Sequence, residues 1–257
     1  KDLAFAGGDF IVSDDKHPED LLNGHVDEML KKAIEYGIDP FNAIKMVTIN
    51  PAEHYNLNTG NLIPGKAADI ILVDSIEELN IRKVIIDGKL VAENGKPYFN
   101  IKPVKIPSTF KLKQKKSSEF DITAKGSIVN VRVMEVFDGQ LITKEVSADL
   151  KIKNGKIETN TNKDILKIAV VDRYGSENVS NAFVKGFGIR EGAIASSAAH
   201  DSHNIITVGT NSQDMADAVN VICKNKGGLS AVSNGIIYSL ELPIAGLMSY
   251  KSLEDVS

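Results

Sequence analysis

The sequence of 257 residues has no tryptophan and a single cysteine, Cys223. One thiol cannot form an internal disulfide or a multi-cysteine metal site, and it suits a reducing cytoplasm. No apolar run approaches the roughly 20 residues that a membrane-spanning helix needs, and no signal peptide is recognisable. We therefore expect a cytoplasmic protein that does not span a membrane.

An excess of basic residues is also missing. The chain has 30 lysines and arginines against 34 acidic residues, which gives a formal net charge of -4. This balance does not favour binding to nucleic acid or to an anionic membrane, so the expected partner is a small neutral molecule or another protein. The apolar fraction of 42% is normal for a globular protein and predicts one large domain or two ordinary ones.

The first fifty residues predict a strand followed by helices. Phe10 to Val12 form a short apolar run that ends in a polar cluster. From Val26 the apolar residues recur at helical spacing, and Gly37 is placed to end that helix. A second short helix is expected from Asp39-Pro40, because aspartate caps helices and proline suits the first turn.

The remainder predicts a small β segment, a connection and an α+β region. Asp-Gly at 87–88 and Asn-Gly at 154–155 indicate hairpin turns, and the proline- and lysine-containing stretch 102–116 indicates a connection between domains. Strands are expected at 68–73, 166–171, 205–208, 229–232 and 236–240. One helix is expected from Asn211 or Ser212 to Gly227, with Cys223 buried on its apolar stripe as an inert thiol.

Asp14 and Asp15 directly follow the predicted strand at Phe10–Val12. A carboxylate at the end of a buried strand can bind a metal, accept a proton or do both. Adjacent aspartates are equally at home as turn or helix-cap residues. The functional interpretation gains weight if the strand is the last of a β/α barrel, since its C-terminal end then lies at the active face.

Four of the five histidines form two groups. His17 and His25 flank the Asp14 segment without the close pairing of a compact metal site, and each also suits a structural role, in a loop or at a helix start. The cluster His200, Asp201, Ser202, His203 and Asn204 precedes a predicted strand. It is either a loop that reaches a substrate or supports a metal site, or a turn whose side chains bond nearby backbone amides.

Several motifs resemble the amidohydrolase superfamily. Residues 48–53 (TINPAE) and 59–74 (TGNLIPGKAADIILVD), with 84–91 (VIIDGKLV), look like the passage by which these enzymes leave their barrel and enter a small β-sandwich. Within the superfamily, 13–18 (SDDKHP), 24–27 (GHVD) and 199–205 (AHDSHNI) resemble adenine deaminases. The similarity covers essentially the whole chain.

The resemblance implies an α/β fold joined to an α+β fold. Residues 1–55 would be the last strand and helices of a TIM-type (β/α)8 barrel of the metal-dependent hydrolases, and 56–105 part of the β-sandwich. A linker would follow at 106–117, and an adenine deaminase-specific α+β domain at 118–257. Asp14 would end the eighth strand, bind the catalytic metal and carry protons. Substrate-binding or supporting roles would fall to Asp15, His25, His200, Asp201, His203 and Asn204.

The implied reaction is hydrolytic deamination of adenine to hypoxanthine and ammonia, a step of adenine catabolism and purine salvage. A divalent metal, Mn²⁺ or Fe²⁺ in a binuclear site, would lower the pKa of bound water toward about 7. The family's His-x-His pair and its further glutamate and histidine ligands are absent from this sequence. We therefore expect a fragment or one part of a longer or two-part enzyme, inactive alone, whose missing N-terminal barrel portion is supplied in cis or in trans.

Three further expectations complete the sequence-based interpretation. The complete protein is expected to form a homo-oligomer. Another cyclic amidine or amide hydrolase of the superfamily would fit the barrel-to-sandwich motifs equally well. From a different class, the chain would be a noncatalytic module that binds a partner chain.

Overall fold

The computed structural model of the protein describes residues 8–101 and 110–257. The chain divides into two compact units, one of residues 1–103 with 251–257 and one of residues 104–250. Each unit combines helix with a β-sheet, so the predicted mixture of α and β structure is confirmed. The domain boundaries predicted at 55, 105 and 117 remain predictions, and residues 106–109 of the predicted linker lie outside the described residues.

Short helices make up the first part of the first unit: α1 (Pro18–Leu21), α2 (Val26–Glu35), α3 (Pro40–Val47) and α4 (Ile49–His54), with a further one at Leu253–Val256. The predicted helix from Val26 is confirmed. It ends just before Gly37, whose φ of 95° lies in the left-handed region that glycine tolerates. Asp39 caps α3 as predicted, because its carboxylate accepts the amide of Asn42 at 3.1 Å.

A small core holds α2 and α3 together. Leu30 and Ala33 from α2 and Ala43 from α3 form one buried cluster with Leu79. Partly buried aliphatic side chains complete it, namely those of Ile11, Ile34, Ile38, Ile44 and Val47. The apolar spacing that predicts these helices therefore also predicts which of their faces is buried.

The predicted strand at Phe10–Val12 is wrong for the described residues, since this run has no strand partner there. The amide of Ile11 donates instead to the carbonyl of Met46 in α3, at 3.1 Å. A strand exists only through hydrogen bonds to a neighbouring strand, and apolar composition alone does not supply that neighbour. Ile11 packs on the helices, which accounts for the apolar signal without a sheet.

A four-stranded antiparallel sheet follows in the order β1-β2-β3-β4. Its strands are β1 (Ile70–Val73), β2 (Ile81–Ile86), β3 (Lys89–Glu93) and β4 (Lys96–Pro97). The predicted hairpin is confirmed, with Asp87 and Gly88 both at positive φ in the turn between β2 and β3. Pro97 lies on the edge strand, where a missing amide donor costs no ladder bond.

The TGNLIPGKAAD motif at 59–69 contacts both the sheet and helix α4 of this unit. The carboxylate of Asp69 accepts the amide of Asp87 at 2.8 Å and the hydroxyl of Thr59 at 2.9 Å. These two bonds hold the pKa of Asp69 below its usual value. Gly60 is required because a Cβ there would lie 2.5 Å from the Cβ of Ala52 in α4. The motif thus joins α4 to the sheet.

The second unit is built on a nine-stranded sheet in the order β13-β12-β10-β11-β8-β9-β5-β6-β7. Its neighbouring strands run antiparallel except for the parallel pair β5 and β9. The strands are β5 (Ile128–Glu135), β6 (Lys144–Lys153), β7 (Lys156–Ile157), β8 (Ile165–Val171), β9 (Val179–Lys185), β10 (Ala193–Ser196), β11 (Ile205–Gly209), β12 (Gly228–Ser233) and β13 (Ile236–Glu241).

One helix, α5 (Ser212–Asn225), covers a face of this sheet. Its apolar stripe is buried against strands β8, β10, β11 and β12, in a core that includes Met215, Val219 and Ile222. Asn211 caps it by accepting the amide of Asp214 at 2.9 Å, as predicted. Among the described residues, no helix is both long and apolar enough to cross a lipid bilayer.

Removing apolar volume from the stripe of α5 should destabilise the second unit. Ile222 is 0% exposed, so Ile222→Ala is expected to lower the free energy of unfolding by about 2–5 kcal/mol. The matched change Ile236→Ala, at a side chain in a residue 60% exposed, should cost less than about 0.5 kcal/mol. Urea denaturation followed by circular dichroism measures both, and equal losses would contradict the predicted packing.

Candidate functional site

Asp14 lies in an exposed turn of the first unit. Its φ of 46° is in the left-handed region, which aspartate tolerates better than most residues. The amide of Lys16 donates to the carbonyl of Asp14 at 3.0 Å, and the Lys16 ammonium reaches the carbonyl of Gly24 at 2.6 Å. Asp15 is exposed as well. The backbone geometry is that of a turn, and it leaves the Asp14 carboxylate accessible.

The two nearby histidines occupy helix starts. His17 immediately precedes α1 and lies 4.0 Å from the carboxylate of Glu19, with both side chains exposed. His25 immediately precedes α2, and its backbone amide, rather than its ring, donates to the carboxylate of Asp27 at 2.8 Å. Both positions match the structural interpretation of these residues. A supporting role for His25 at a metal site remains a prediction.

A metal site cannot be completed from the described residues alone. Residues 8–101 and 110–257 contain no group of three or more His, Cys, Asp or Glu side chains arranged to hold an ion. One exposed carboxylate supplies an oxygen ligand of the kind that Mn²⁺ accepts, whereas a stable site needs several such ligands. The described residues therefore do not fit a complete metal centre around Asp14.

The His200–Asn204 segment forms a compact turn in the second unit. The rings of His200 and His203 meet edge to face, with centroids 4.9 Å apart. The amide of His203 donates to the carbonyl of Ala199 at 2.6 Å, and the amide of Asn204 to the hydroxyl of Ser202 at 3.4 Å. The self-bonded turn predicted as one alternative is therefore present in part, because among the described residues Ser202 bonds a backbone amide and Asp201 does not.

One atom of this turn is not explained by self-bonding. Nδ1 of His203 is buried and makes no hydrogen bond within the described part of the chain. Buried polar atoms are almost always paired, so an unpaired one points to a strained or functional position. His203 also has a φ of 52°, which only a minority of non-glycine residues adopt. A functional role for the segment remains a prediction that this atom supports.

The turn is held by Arg173 and Tyr174, which follow strand β8. The Tyr174 hydroxyl donates to the carbonyl of Ser202 at 2.9 Å. The amide of Arg173 donates to the side-chain oxygen of Asn204 at 3.4 Å. Two consecutive residues therefore fix both the middle and the end of the His200–Asn204 turn.

Arg173 is a buried charge, 3% exposed, without a carboxylate within 4.0 Å among the described residues. Its guanidinium donates to the carbonyl of Ala245 at 2.8 Å and lies 5.1 Å from the ring centres of Phe110 and Tyr174. Cation–π contact and a carbonyl oxygen thus replace a counter-ion. Gly246 is needed beside it, because a Cβ there would lie 2.0 Å from the guanidinium nitrogen.

Sequence reasoning does not find Arg173 or Tyr174. Their one sequence signal is that they come two and three residues after the predicted strand at 166–171, as Asp14 and Asp15 come two and three residues after theirs. Cys223 is partly buried on α5 and not fully buried as predicted; this burial still raises the pKa of its thiol, which donates to the carbonyl of Leu112 at 3.0 Å.

Comparison with known protein families confirms the resemblance on both units. Residues 6–91 match the model of the amidohydrolase family. Residues 140–257 match the model of the adenine deaminase C-terminal domain. The first match includes the Asp14 turn, and the second includes Arg173 and the His200–Asn204 turn. The chain is thus similar to amidohydrolases in its first part and to the C-terminal domain of adenine deaminases in its last part.

Individual relatives give the same picture. The chain is 49% identical to an adenine deaminase of Methanosphaera stadtmanae, over 99% of this chain and 48% of that protein. It is 49% identical to one of Methanothermobacter thermautotrophicus, over 97% of this chain and 47% of the relative. For one of Kosmotoga olearia the identity is 42%, over 96% of this chain. The chain spans about half the length of the curated relatives it matches.

Loss of the Tyr174 hydroxyl should loosen the histidine turn. Tyr174→Phe removes the bond to Ser202 and is expected to cost about 1 kcal/mol of stability. It should also speed amide hydrogen exchange in residues 199–204. Tyr238→Phe, at an exposed ring, serves as the matched control. Unchanged exchange in Tyr174→Phe would show that another contact holds the turn.

Proposed function

We propose that these residues form the C-terminal part of an adenine deaminase, a metal-dependent hydrolase that converts adenine and water to hypoxanthine and ammonia. The observation that carries this proposal is the match of residues 140–257 to the adenine deaminase C-terminal domain. The amidohydrolase match at 6–91 is common to many hydrolases of cyclic amidines and amides, so it alone would not select adenine.

The first unit is proposed to complete a β/α barrel together with residues outside this chain. Helices α2 to α4 would belong to the end of the barrel, and the sheet β1 to β4 to the β-sandwich beside it. Two observations support this arrangement. The curated relatives are about twice as long as the chain, and the metal ligands are incomplete within the described residues. The remaining ligands would come from the other half of the enzyme.

Asp14 is proposed to bind the metal and to transfer protons. Hydrolytic deamination adds water to the ring carbon that carries the amino group and expels ammonia, so one proton must leave the water and one must reach the departing nitrogen. A carboxylate beside the reacting atoms performs both transfers in turn. The metal, proposed as Mn²⁺ or Fe²⁺, would make hydroxide available at neutral pH. The exposure of Asp14 leaves it open to such partners.

The remaining proposals concern residues and setting. Asp15, His25, His200, Asp201, His203 and Asn204 are proposed to support the substrate or the metal site. The unpaired Nδ1 of His203 supports this role most directly. The complete enzyme is proposed to be a cytoplasmic homo-oligomer that acts in purine salvage.

Replacing the proposed proton carrier should abolish catalysis in the complete enzyme. Asp14→Asn keeps the size of the side chain but removes the basic carboxylate, so we expect kcat for adenine to fall by about 10³-fold or more. We also expect Asp14→Asn to bind less metal than the wild-type enzyme. Deamination is followed by the change in ultraviolet absorbance from adenine to hypoxanthine, and metal content by elemental analysis.

Asp20→Asn is the matched control, since Asp20 is an exposed carboxylate in the nearby helix α1. It should leave kcat within about twofold, because it lies outside the proposed site. Full turnover by Asp14→Asn would remove Asp14 from the site. A wild-type enzyme that deaminates another cyclic amidine but not adenine would favour the broader amidohydrolase assignment.

A further inference from the structure

A polar cleft of about 680 Å³ lies in the second unit at the start of α5. Its lining includes three lysines, Lys153, Lys156 and Lys167, against two carboxylates, Asp121 and Glu158. The cleft therefore has a surplus of positive charge in a chain whose overall net charge is negative. None of these residues belongs to the site proposed for deamination.

Lys167 is the unusual member of this group. Its side chain, on strand β8, is 7% exposed, and its ammonium donates to the hydroxyl of Ser212 at 2.7 Å. The nearest carboxylate oxygen, on Asp121, is 3.8 Å away, too far for a hydrogen bond. An ammonium carries three donors, so two remain without an acceptor among the described residues. Burying unsatisfied donors is costly unless a ligand or water supplies the acceptors.

The counter-charge of Lys167 is already engaged elsewhere. Asp121 is bound by Lys156 at 2.6 Å and accepts the Ser212 hydroxyl at 2.8 Å. Burial raises the pKa of Asp121, but these hydrogen bonds and the two lysine charges outweigh burial and hold that pKa below its usual value. Asp121 is thus a carboxylate shared between two lysines, and one positive charge remains uncompensated.

The beginning of α5 adds donors to the same cleft. The first intrahelical bond of α5 runs from the amide of Met215 to the carbonyl of Asn211. The amides of Ser212 and Gln213 precede it, and both residues line the cleft. Such early amides have no carbonyl partner within a helix and carry the positive end of its dipole. They therefore supplement the lysines as ligands for a negative group.

We propose that this cleft binds a tetrahedral oxyanion of the phosphate class, held by Lys167, Lys156 and the first amides of α5. The anion would supply the acceptors that the buried ammonium lacks and would neutralise the surplus charge. The shared chemistry is a phosphoryl group, either free or carried by a small molecule, because the cleft is large enough for a ligand of metabolite size. This inference is independent of the proposed deamination.

Calorimetric titration of the 257-residue chain at constant ionic strength tests the proposal. Inorganic phosphate should bind saturably with one site per chain, whereas acetate should not. Ribose 5-phosphate serves as a phosphate monoester: tighter binding than inorganic phosphate assigns the site to the phosphoryl group of a small molecule, and equal or weaker binding assigns it to free phosphate. Absence of saturable phosphate binding, or equal binding of acetate, would overturn the proposal.

Two variants locate the binding. Lys167→Met keeps the length of the buried side chain without its charge, and we expect phosphate affinity to fall by about tenfold or more. Because this change can also disturb folding, Lys156→Gln provides a second reading at a side chain that is 55% exposed, again with weaker binding expected. Lys113→Gln removes an exposed lysine that does not line the cleft and should bind as the wild type does. Unchanged affinity in both cleft variants would refute the site.

Discussion

The packing of α5 on the nine-stranded sheet is the contact on which the rest of the second unit depends. A largely antiparallel sheet of this size needs an apolar cover on at least one face, and the stripe of α5 provides it over β8, β10, β11 and β12. The same packing fixes the start of α5 beside Lys167 and Asp121, which lie on other elements. Helix burial therefore positions the polar cleft as well as the core.

Buried charge is handled differently at two places in this unit. Arg173 is stabilised by two aromatic faces and a carbonyl in place of an anion, and its Nε is buried without a hydrogen bond within the described part of the chain. Lys167 has one hydroxyl and a distant carboxylate, which leaves donors open. Arg173 therefore serves to hold the His200–Asn204 turn, whereas Lys167 is suited to receive a ligand. Burying a charge costs desolvation free energy, so each buried charge needs compensating contacts or a ligand.

Local patterns predicted local structure well. The helices from Val26 and Ser212 and the hairpin at Asp87-Gly88 follow from spacing, caps and turn residues within a few positions. Strand β9, which was not predicted, pairs with β5, about fifty residues earlier in the chain. The strand predicted at Phe10–Val12 is wrong for a related reason, because an apolar run does not specify the neighbouring strand with which it would pair. The role of Arg173 also depends on distant parts of the chain, because its main acceptor, the carbonyl of Ala245, is 72 residues away. The sequence around Arg173 therefore does not predict it.

The sequence motifs predicted more than any periodicity, since residues 13–18, 24–27 and 199–205 resemble adenine deaminases in particular. The central claim is that this chain supplies the C-terminal part of such an enzyme. Its most direct test compares adenine turnover by the complete enzyme and by the 257-residue chain, each with Mn²⁺ or Fe²⁺. The claim predicts that the complete enzyme forms hypoxanthine and ammonia in equal amounts and that the 257-residue chain forms neither. Failure of the complete enzyme to deaminate adenine, or turnover by this chain alone, would contradict it.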